Sequence, residues 1–90
     1  MAVEIEFDPA KNALNREKHG IGFELAGAVL RGRVGAIIDE RHASEERWIC
    51  YGVLAGRLFV CVYTMRGRRV RIISLRKANR KEQVRWLGGS

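Results

Sequence analysis

Three features of the 90-residue sequence predict one α+β domain with a mainly antiparallel sheet. Three apolar runs rich in β-branched residues follow one another at hairpin spacing in the second half of the chain. Two helical patterns precede them, and a basic helical pattern follows them. The predicted element order is therefore β-α-α-β-β-β-β-α, with the N-terminal helices packed on the sheet and a basic C-terminal helix.

The first half of the chain carries clear start and stop signals. Val3, Ile5 and Phe7 alternate with acidic residues, which is typical of a half-buried strand. Asp8 is a favoured N-cap and Pro9 a favoured first helical residue, so a helix is predicted to run to about His19. Gly20 then provides the left-handed C-cap. The residues of this helix expected to face inwards are Ala10, Ala13 and Leu14.

A second short helix is predicted from the inward stripe formed by Phe23, Ala26, Val29 and Leu30. Arg31-Gly32-Arg33 ends it, a strand follows over residues 34–39, and residues 40–46 are expected to form a polar loop. Three strands at hairpin spacing are then predicted over residues 47–54, 58–64 and 68–75, with Gly56 and Gly67 at turn positions that need a positive φ.

The end of the chain has the pattern of a capped helix. Asn79 and Glu82 have the spacing of a capping box, which predicts a helix from Asn79 to Leu87. Residues 88–90 are expected to be a tail or a cloning scar. No linker or repeat divides the chain, so residues 1–90 are predicted to be one domain.

The net charge of +7 is concentrated in one segment. Nine basic residues and one acid lie between Arg66 and Arg85, which gives this segment +8 and leaves −1 for the rest of the chain. Such asymmetry favours a polyanion or an acidic protein as partner, with a solvated basic face as the alternative.

No apolar run approaches the length of a membrane span and the N-terminus has no signal-peptide pattern, so a cytoplasmic location without membrane contact is expected. Cys50 and Cys61 are expected to be buried, reduced thiols.

The residues able to carry chemistry are cations, two histidines and a few hydroxyls. The sequence contains no phosphate-binding loop, no nucleophile elbow and no metal-ligand spacing, so no cofactor or metal is expected. Cations and a proton-transfer group are what phosphodiester cleavage without metal needs. One base activates a ribose 2′-OH, cations stabilise the phosphorane, and one proton reaches the leaving oxygen.

Three blocks of the sequence, FDPAKNALNREKHGIGFELA, DERHASEERW and RGRRVRIISLRKANRKE, resemble the signature blocks of the BrnT-type toxins. They span Phe7 to Trp86 in the order and spacing of that family. The resemblance implies a RelE-like fold and an RNA-cleaving toxin of a type II toxin–antitoxin pair that works without metal and inhibits translation. It also implies a ribbon-helix-helix antitoxin of the BrnA type, in a complex with two copies of each, and DNA contact only through that antitoxin. Trp86 stands where the family usually has a tyrosine.

The candidate catalytic residues are those within the three BrnT-like blocks that could transfer protons or stabilise a phosphorane. Lys18 and His19 lie in the last turn of the first predicted helix, where His19 either transfers protons or only complements the helix dipole. Arg71 and Arg76 are expected to stabilise the phosphorane, or alternatively to pair with Glu46 or Asp39. Glu46 is expected to orient Arg71 or His19, or to form a structural ion pair, and Ser74 to be a buried hydroxyl.

A further set of residues is expected to hold the RNA backbone electrostatically. It consists of Arg66, Arg68, Arg69, Lys77, Arg80, Lys81 and Arg85. Trp86 is the aromatic residue expected to stack on an unpaired base. Two rival functions remain open: a basic module that binds an antitoxin or nucleic acid without cleaving RNA, and a DNA-binding regulator, for which no recognition-helix pattern is present.

The stretch RRVRIISLR raises a geometric problem. Alternation along a flat strand separates Arg71 from Ser74 and Arg76, which then lie on opposite faces of the sheet. A common site therefore requires that the strand ends or bulges before Arg76, or that the site wraps around an edge of the sheet.

Overall fold

The computed structural model describes residues 4–41 and 45–88. The predicted strand start at Val3, His42 in the polar loop, and the tail residues Gly89 and Ser90 lie outside the described residues. The elements are β1 Glu4–Glu6, α1 Pro9–His19, a 3-10 turn Phe23–Leu25, α2 Ala26–Arg31, β2 Arg33–Asp39, β3 Arg47–Leu54, β4 Arg57–Arg66, β5 Arg69–Lys77 and α3 Arg80–Leu87. This is the predicted order, with β4 and β5 each extending two residues past their predicted C-terminal ends.

The strands form a five-stranded sheet in the order β1-β5-β4-β3-β2. Strands β2 to β5 form an antiparallel meander, and β1 adds to the outer side of β5 in parallel. The β3–β4 hairpin turns at Ala55 and Gly56, both with positive φ, and the β4–β5 hairpin turns at Gly67 with φ +61. The expected positive φ at Gly56 and Gly67 is confirmed, and these tight turns fix the register of the hairpins.

The main core lies between the sheet and the helices of the first half of the chain. Phe23, Ala26 and Val29 are almost fully buried against one face of the sheet. Cys50 and Cys61, which are partners across β3 and β4, lie in the same core as free thiols. This confirms the expected stripe of the second helix and the expected character of the two cysteines.

Helix α3 lies on the opposite face of the sheet, which we call the α3 face. Its capping box is present as predicted, because the Asn79 side chain accepts from the Glu82 N–H and the Glu82 side chain accepts from the Asn79 N–H. The ring of Trp86 joins a second cluster with Tyr51, Leu58 and Val60. Helices therefore pack on both faces of the sheet, and within residues 4–41 and 45–88 the α3 face carries only α3. Within the described residues, no helix is long and apolar enough to cross a membrane.

The inward face of α1 differs from its prediction. Ala10, Ala13 and Leu14 are exposed, with Leu14 65% exposed, and the buried residue of this helix is Asn15. The physical reason is the position of α1 beside the outer edge of β5 beyond β1, where unpaired backbone groups need hydrogen-bond partners more than apolar cover.

Candidate active site

Strand β5 contains a bulge in its middle. Val62 of β4 is opposite Ser74, but the next residue, Tyr63, is opposite Ile72. Ile73 is thus an extra residue without a partner on β4. An extra residue reverses the alternation of side chains beyond it, so the two halves of β5 are out of phase with each other.

This bulge places Arg71, Ser74 and Arg76 on one face of the sheet. Arg71 is opposite Thr64 and Arg76 is opposite Val60, and these two β4 residues are four apart and point the same way. Ser74 is opposite the β4 residue midway between them. Because Val60 belongs to the cluster under α3, the shared face is the α3 face. The first of the two solutions foreseen from the sequence, a bulge before Arg76, is present.

A cavity of about 250 Å³ lies at the outer edge of β5, between the bulge and the end of α1. Its polar lining comes from Lys11, Asn15, Lys18 and His19 on α1 and from Ser74 beside the bulge. Ser74 therefore belongs both to the arginine-bearing face and to this edge cavity. The candidate site wraps around the edge of the sheet, which is the second solution foreseen from the sequence.

Asn15 fixes α1 at this edge. Its side-chain amide donates to the carbonyl oxygen of Leu75 at 2.7 Å and to that of Ile21 at 3.0 Å. Its oxygen accepts from the N–H of Leu75 at 3.3 Å. One buried side chain thus takes the place of a neighbouring strand for Leu75, and in this way it sets where Lys18 and His19 lie relative to the bulge.

Arg71 is held by an acid from the first strand. Its Nη1 donates to Glu6 at 2.7 Å, and Glu6 is also its partner in the parallel β1–β5 register. The adjacent pair, Arg69 and Glu4, is joined at 3.1 Å in the same way. The expected alternatives, Glu46 or Asp39 as the acid for Arg71, are wrong, because the acid that pairs with Arg71 is Glu6. Asp39 binds Arg41 at 2.8 Å. The bond to Glu6 occupies one end of the Arg71 guanidinium, whose side chain is 29% exposed.

Arg76 has a different environment. Both of its terminal nitrogens donate to Glu82 at 2.8 Å, in a two-pronged pair. The hydrogen bonds from Arg76 hold the pKa of Glu82 below its ordinary value, with a further contribution from the Asn79 N–H. Glu82 also caps α3, so Arg76 ties the N-terminus of that helix to the sheet. This contact, and not Glu46 or Asp39, is the ion pair of Arg76.

Glu46 does not join either group. Its carboxylate makes no ion pair among residues 4–41 and 45–88, and it lines a separate cavity at the ends of β3 and β4. Its main-chain oxygen accepts from the hydroxyl of Thr64 at 2.6 Å. The structure therefore places Glu46 beside β4, the neighbour of the strand that bears Arg71, but does not bring its carboxylate onto Arg71 or His19.

The remaining basic residues lie at the two ends of β5. Arg66, Arg68 and Arg69 surround the β4–β5 turn, and the second group consists of Lys77, Arg80, Lys81 and Arg85. All of them are exposed, and apart from Arg69 none forms an ion pair within the described part of the chain. The nine residues of β5 span roughly 26 Å at the usual rise per residue. The basic residues predicted to bind RNA therefore form two separate groups, with Arg71 between them.

Trp86 is a packing residue in this structure. Its ring stacks on Tyr51 with centroids 4.6 Å apart and lies against Gly35, where any side chain would overlap it. The guanidinium of Arg85 lies 5.3 Å from the ring centroid. The indole N–H is buried and has no partner among the described residues. This arrangement does not offer the open ring face that the expected stacking on an RNA base requires.

Sequence reasoning missed three residues of this region: Lys11, Asn15 and Glu6. A signal for Glu6 was present, because Glu4 and Glu6 have the same two-residue spacing as Arg69 and Arg71. No local signal separates Asn15 from any other helical asparagine.

The bulged strand, its arginines and the cationic edge cavity define a small basic α+β protein with a surface suited to a polyanionic substrate. The chain belongs to the family of BrnT ribonuclease toxins of type II toxin–antitoxin systems, whose model matches residues 7–82. The fold is similar to the 1.1 Å crystal structure of the ribonuclease toxin BrnT of Brucella abortus, with a TM-score of 0.68 and 23% identity. That match covers 88% of this chain and 100% of the other. No curated protein matches the chain. The family and fold expected from the three sequence blocks are confirmed.

Proposed function

We propose that this protein cleaves single-stranded RNA without a metal ion, by attack of a ribose 2′-OH on the adjacent phosphate. The observation that carries the proposal is the β5 bulge, which places Arg71 and Ser74 on one face while the end of α1 places Lys18 and His19 beside Ser74. The family is one of ribonuclease toxins, and the presence of Lys18 and His19 in one cavity with Ser74, on the strand that also carries Arg71, supports the chemistry.

The roles follow from the environment of each side chain. Arg71 and Lys18 bind the non-bridging oxygens of the scissile phosphate and stabilise the charge of the phosphorane. His19 takes the proton of the 2′-OH as the new bond from the 2′-oxygen to phosphorus forms. The bond from phosphorus to the 5′-oxygen breaks, and that oxygen receives a proton from water or Lys18. The products are a 2′,3′-cyclic phosphate and a 5′-hydroxyl end.

Glu6 and Arg76 have supporting roles in this proposal. Glu6 holds one end of the Arg71 guanidinium and leaves its other N–H groups for phosphate. Arg76 is committed to Glu82 and keeps the basic helix α3 on the sheet. Both are therefore positioning residues.

The test is cleavage of a single-stranded RNA by purified protein in excess EDTA. We expect cleavage with EDTA, and we expect Arg71→Ala and His19→Ala each to lower its rate at least a hundredfold. The control is Arg57→Ala, which removes an exposed arginine at the far hairpin that has no ion pair in the described residues. Cleavage that stops on chelation contradicts the mechanism. Growth arrest that persists in both variants contradicts the assignment of the two residues.

A second function, binding without cleavage, is favoured by one observation. The guanidinium groups of Arg71 and Arg76 each already have an acidic partner within the chain. A purely structural role of these pairs leaves a basic module that binds an antitoxin or nucleic acid. RNA binding by the wild-type protein without any cleavage, and without growth arrest on expression, would establish this alternative.

The family implies an antitoxin partner. For this chain we expect a ribbon-helix-helix antitoxin in a complex with two copies of each protein, acting in the cytoplasm, where RNA cleavage lowers translation. DNA binding is then the antitoxin's task. Co-expression with the product of a neighbouring gene, followed by native mass spectrometry, tests the stoichiometry; a mass other than that of two toxins and two antitoxins contradicts it.

A further inference from the structure

A second cavity, of about 350 Å³, lies between the residues at the start of β3 and those at the end of β4. It is lined by Glu45, Glu46, Trp48, Thr64, Met65 and Arg66. The mechanism proposed above uses none of these residues. The volume is at the small end of the range for ligand pockets and suits one planar ring system better than a larger ligand.

Among the polar groups that line this cavity, the carboxylate of Glu46 has no ion pair in the described part of the chain. Glu45 is bound by Arg47 at 3.2 Å, whereas Glu46 has no ion pair within residues 4–41 and 45–88. The backbone of Glu46 is held in place by the buried hydroxyl of Thr64. A free carboxylate repels phosphate, so on a surface that binds RNA it favours contact with the N–H groups of a base over contact with the backbone.

The walls of the cavity suit a base as well. Trp48 provides aromatic surface, and Met65 is a large apolar residue that is 48% exposed. Unpaired bases stack on aromatic side chains with favourable energy whatever their identity. Stacking on Trp48 would supply affinity, and the carboxylate of Glu46 would supply selectivity.

The cavity is also close to the proposed catalytic surface. Thr64, which lines it, is opposite Arg71 in the β4–β5 register, and opposite residues have their Cβ atoms roughly 5 Å apart. Arg66 lines the cavity and, two residues from Thr64 on β4, points to the same face of the sheet as Thr64 and Arg71. A nucleotide with its base in the cavity would therefore have cations at hand for its phosphates, which disfavours a basic peptide as the occupant.

We infer that this cavity binds one unpaired nucleobase of the RNA, next to the scissile phosphate, and that Glu46 selects guanine. Guanine presents two adjacent N–H donors on its Watson–Crick edge, and a carboxylate accepts both. Adenine and cytosine present only their amino group, and the single N–H of uracil is flanked by two carbonyl oxygens that repel a carboxylate. The inference rests on RNA as the substrate of the proposed function, and it adds the determinant of sequence preference.

The experiment measures binding in the absence of cleavage. Fluorescently labelled oligonucleotides with 2′-deoxyribose throughout cannot undergo attack by a 2′-OH, and they differ at one central position, guanine or uracil in a run of uracil. We expect the wild-type protein to bind the guanine oligonucleotide about tenfold more tightly by fluorescence anisotropy. Glu46→Gln, which keeps the size of the side chain, is expected to remove most of this difference.

The control is Glu17→Gln, an exposed α1 carboxylate that also makes no ion pair in the described residues. It is expected to keep the wild-type preference. Equal binding of both oligonucleotides by the wild-type protein, or an unchanged preference in Glu46→Gln, overturns the inference. The inference is also overturned if the wild-type protein and Glu17→Gln bind a lysine-rich peptide and Glu46→Gln does not. That result would mean that the cavity binds a segment of another protein. Because the assay needs no cleavage, its outcome is separate from that of the EDTA experiment.

Discussion

Replacement of Asn15 by alanine tests how α1 is attached to the sheet. The change removes three hydrogen bonds, two to Leu75 and one to Ile21, and Leu75 is fully buried. At about 1 kcal/mol net for each bond, the free energy of unfolding is expected to fall by about 3 kcal/mol. This is a large part of the stability of a small domain.

The matched control is Leu14→Ala on the same helix. Leu14 is 65% exposed, so its truncation is expected to cost less than about 0.5 kcal/mol although it removes more apolar volume. Urea unfolding followed by circular dichroism gives both values. Amide hydrogen exchange adds a local measurement, because the N–H of Leu75 loses its acceptor only in Asn15→Ala.

Two results would refute this reasoning. One is a larger loss of stability in Leu14→Ala than in Asn15→Ala, which would mean that α1 packs through its apolar residues as the sequence suggested. The other is an unchanged exchange rate at Leu75 in Asn15→Ala, which would mean that the edge of β5 has another partner.

Three further predictions concern α3 and the core. Gly35→Val places a side chain where the Trp86 ring lies, so we expect a loss of about 1–3 kcal/mol and a red-shifted Trp86 emission, whereas an unshifted spectrum would mean that α3 docks differently. Because hydrogen bonds from Arg76 lower the pKa of Glu82 in the folded state, its contribution to stability is complete above pH 4.5 and disappears as the pH falls through the lowered value. Wild type is thus expected to exceed Glu82→Gln by about 1–2 kcal/mol at pH 7 and to converge with it in acid; a gap independent of pH contradicts this. Burial raises the pKa of Cys61 to about 12, so this thiol is expected to resist a thiol reagent at pH 8 until urea unfolds the chain, and rapid labelling of the native protein would disprove its burial.

Elements with local signals were predictable from the sequence. Gly20 ends α1 with φ +71, and Asn79 and Glu82 form the capping box of α3. Each of these depends on residues within one turn of each other. The hairpins of the second half are equally local, since the tight turns set their register.

Features set by contacts distant in sequence were not predictable. The bulge at Ile73 was one of several solutions, and only the pairing with β4 selects it. The partner of Arg71 lies 65 residues away on β1, and the burial of Asn15 follows from the open edge of β5. The cations around Trp86 in the sequence indicated a surface aromatic residue, but its ring packs against Gly35 and stacks on Tyr51. The residue types of the candidate site can thus be found in the sequence, but which of them lie together is decided by the tertiary fold.

The parallel pairing of β1 with β5 has a consequence for the order of folding. Between the two strands lie the 62 residues from Phe7 to Arg68, so closing this contact costs more loop entropy than closing any hairpin of the meander. The meander is expected to form first and β1 to dock late. During synthesis, β1 leaves the ribosome long before β5, so Arg71 cannot meet Glu6 until β5 has emerged as well. A nascent chain that does not yet contain β5 therefore lacks the pairing of Arg71 with Glu6 on which the proposed activity depends.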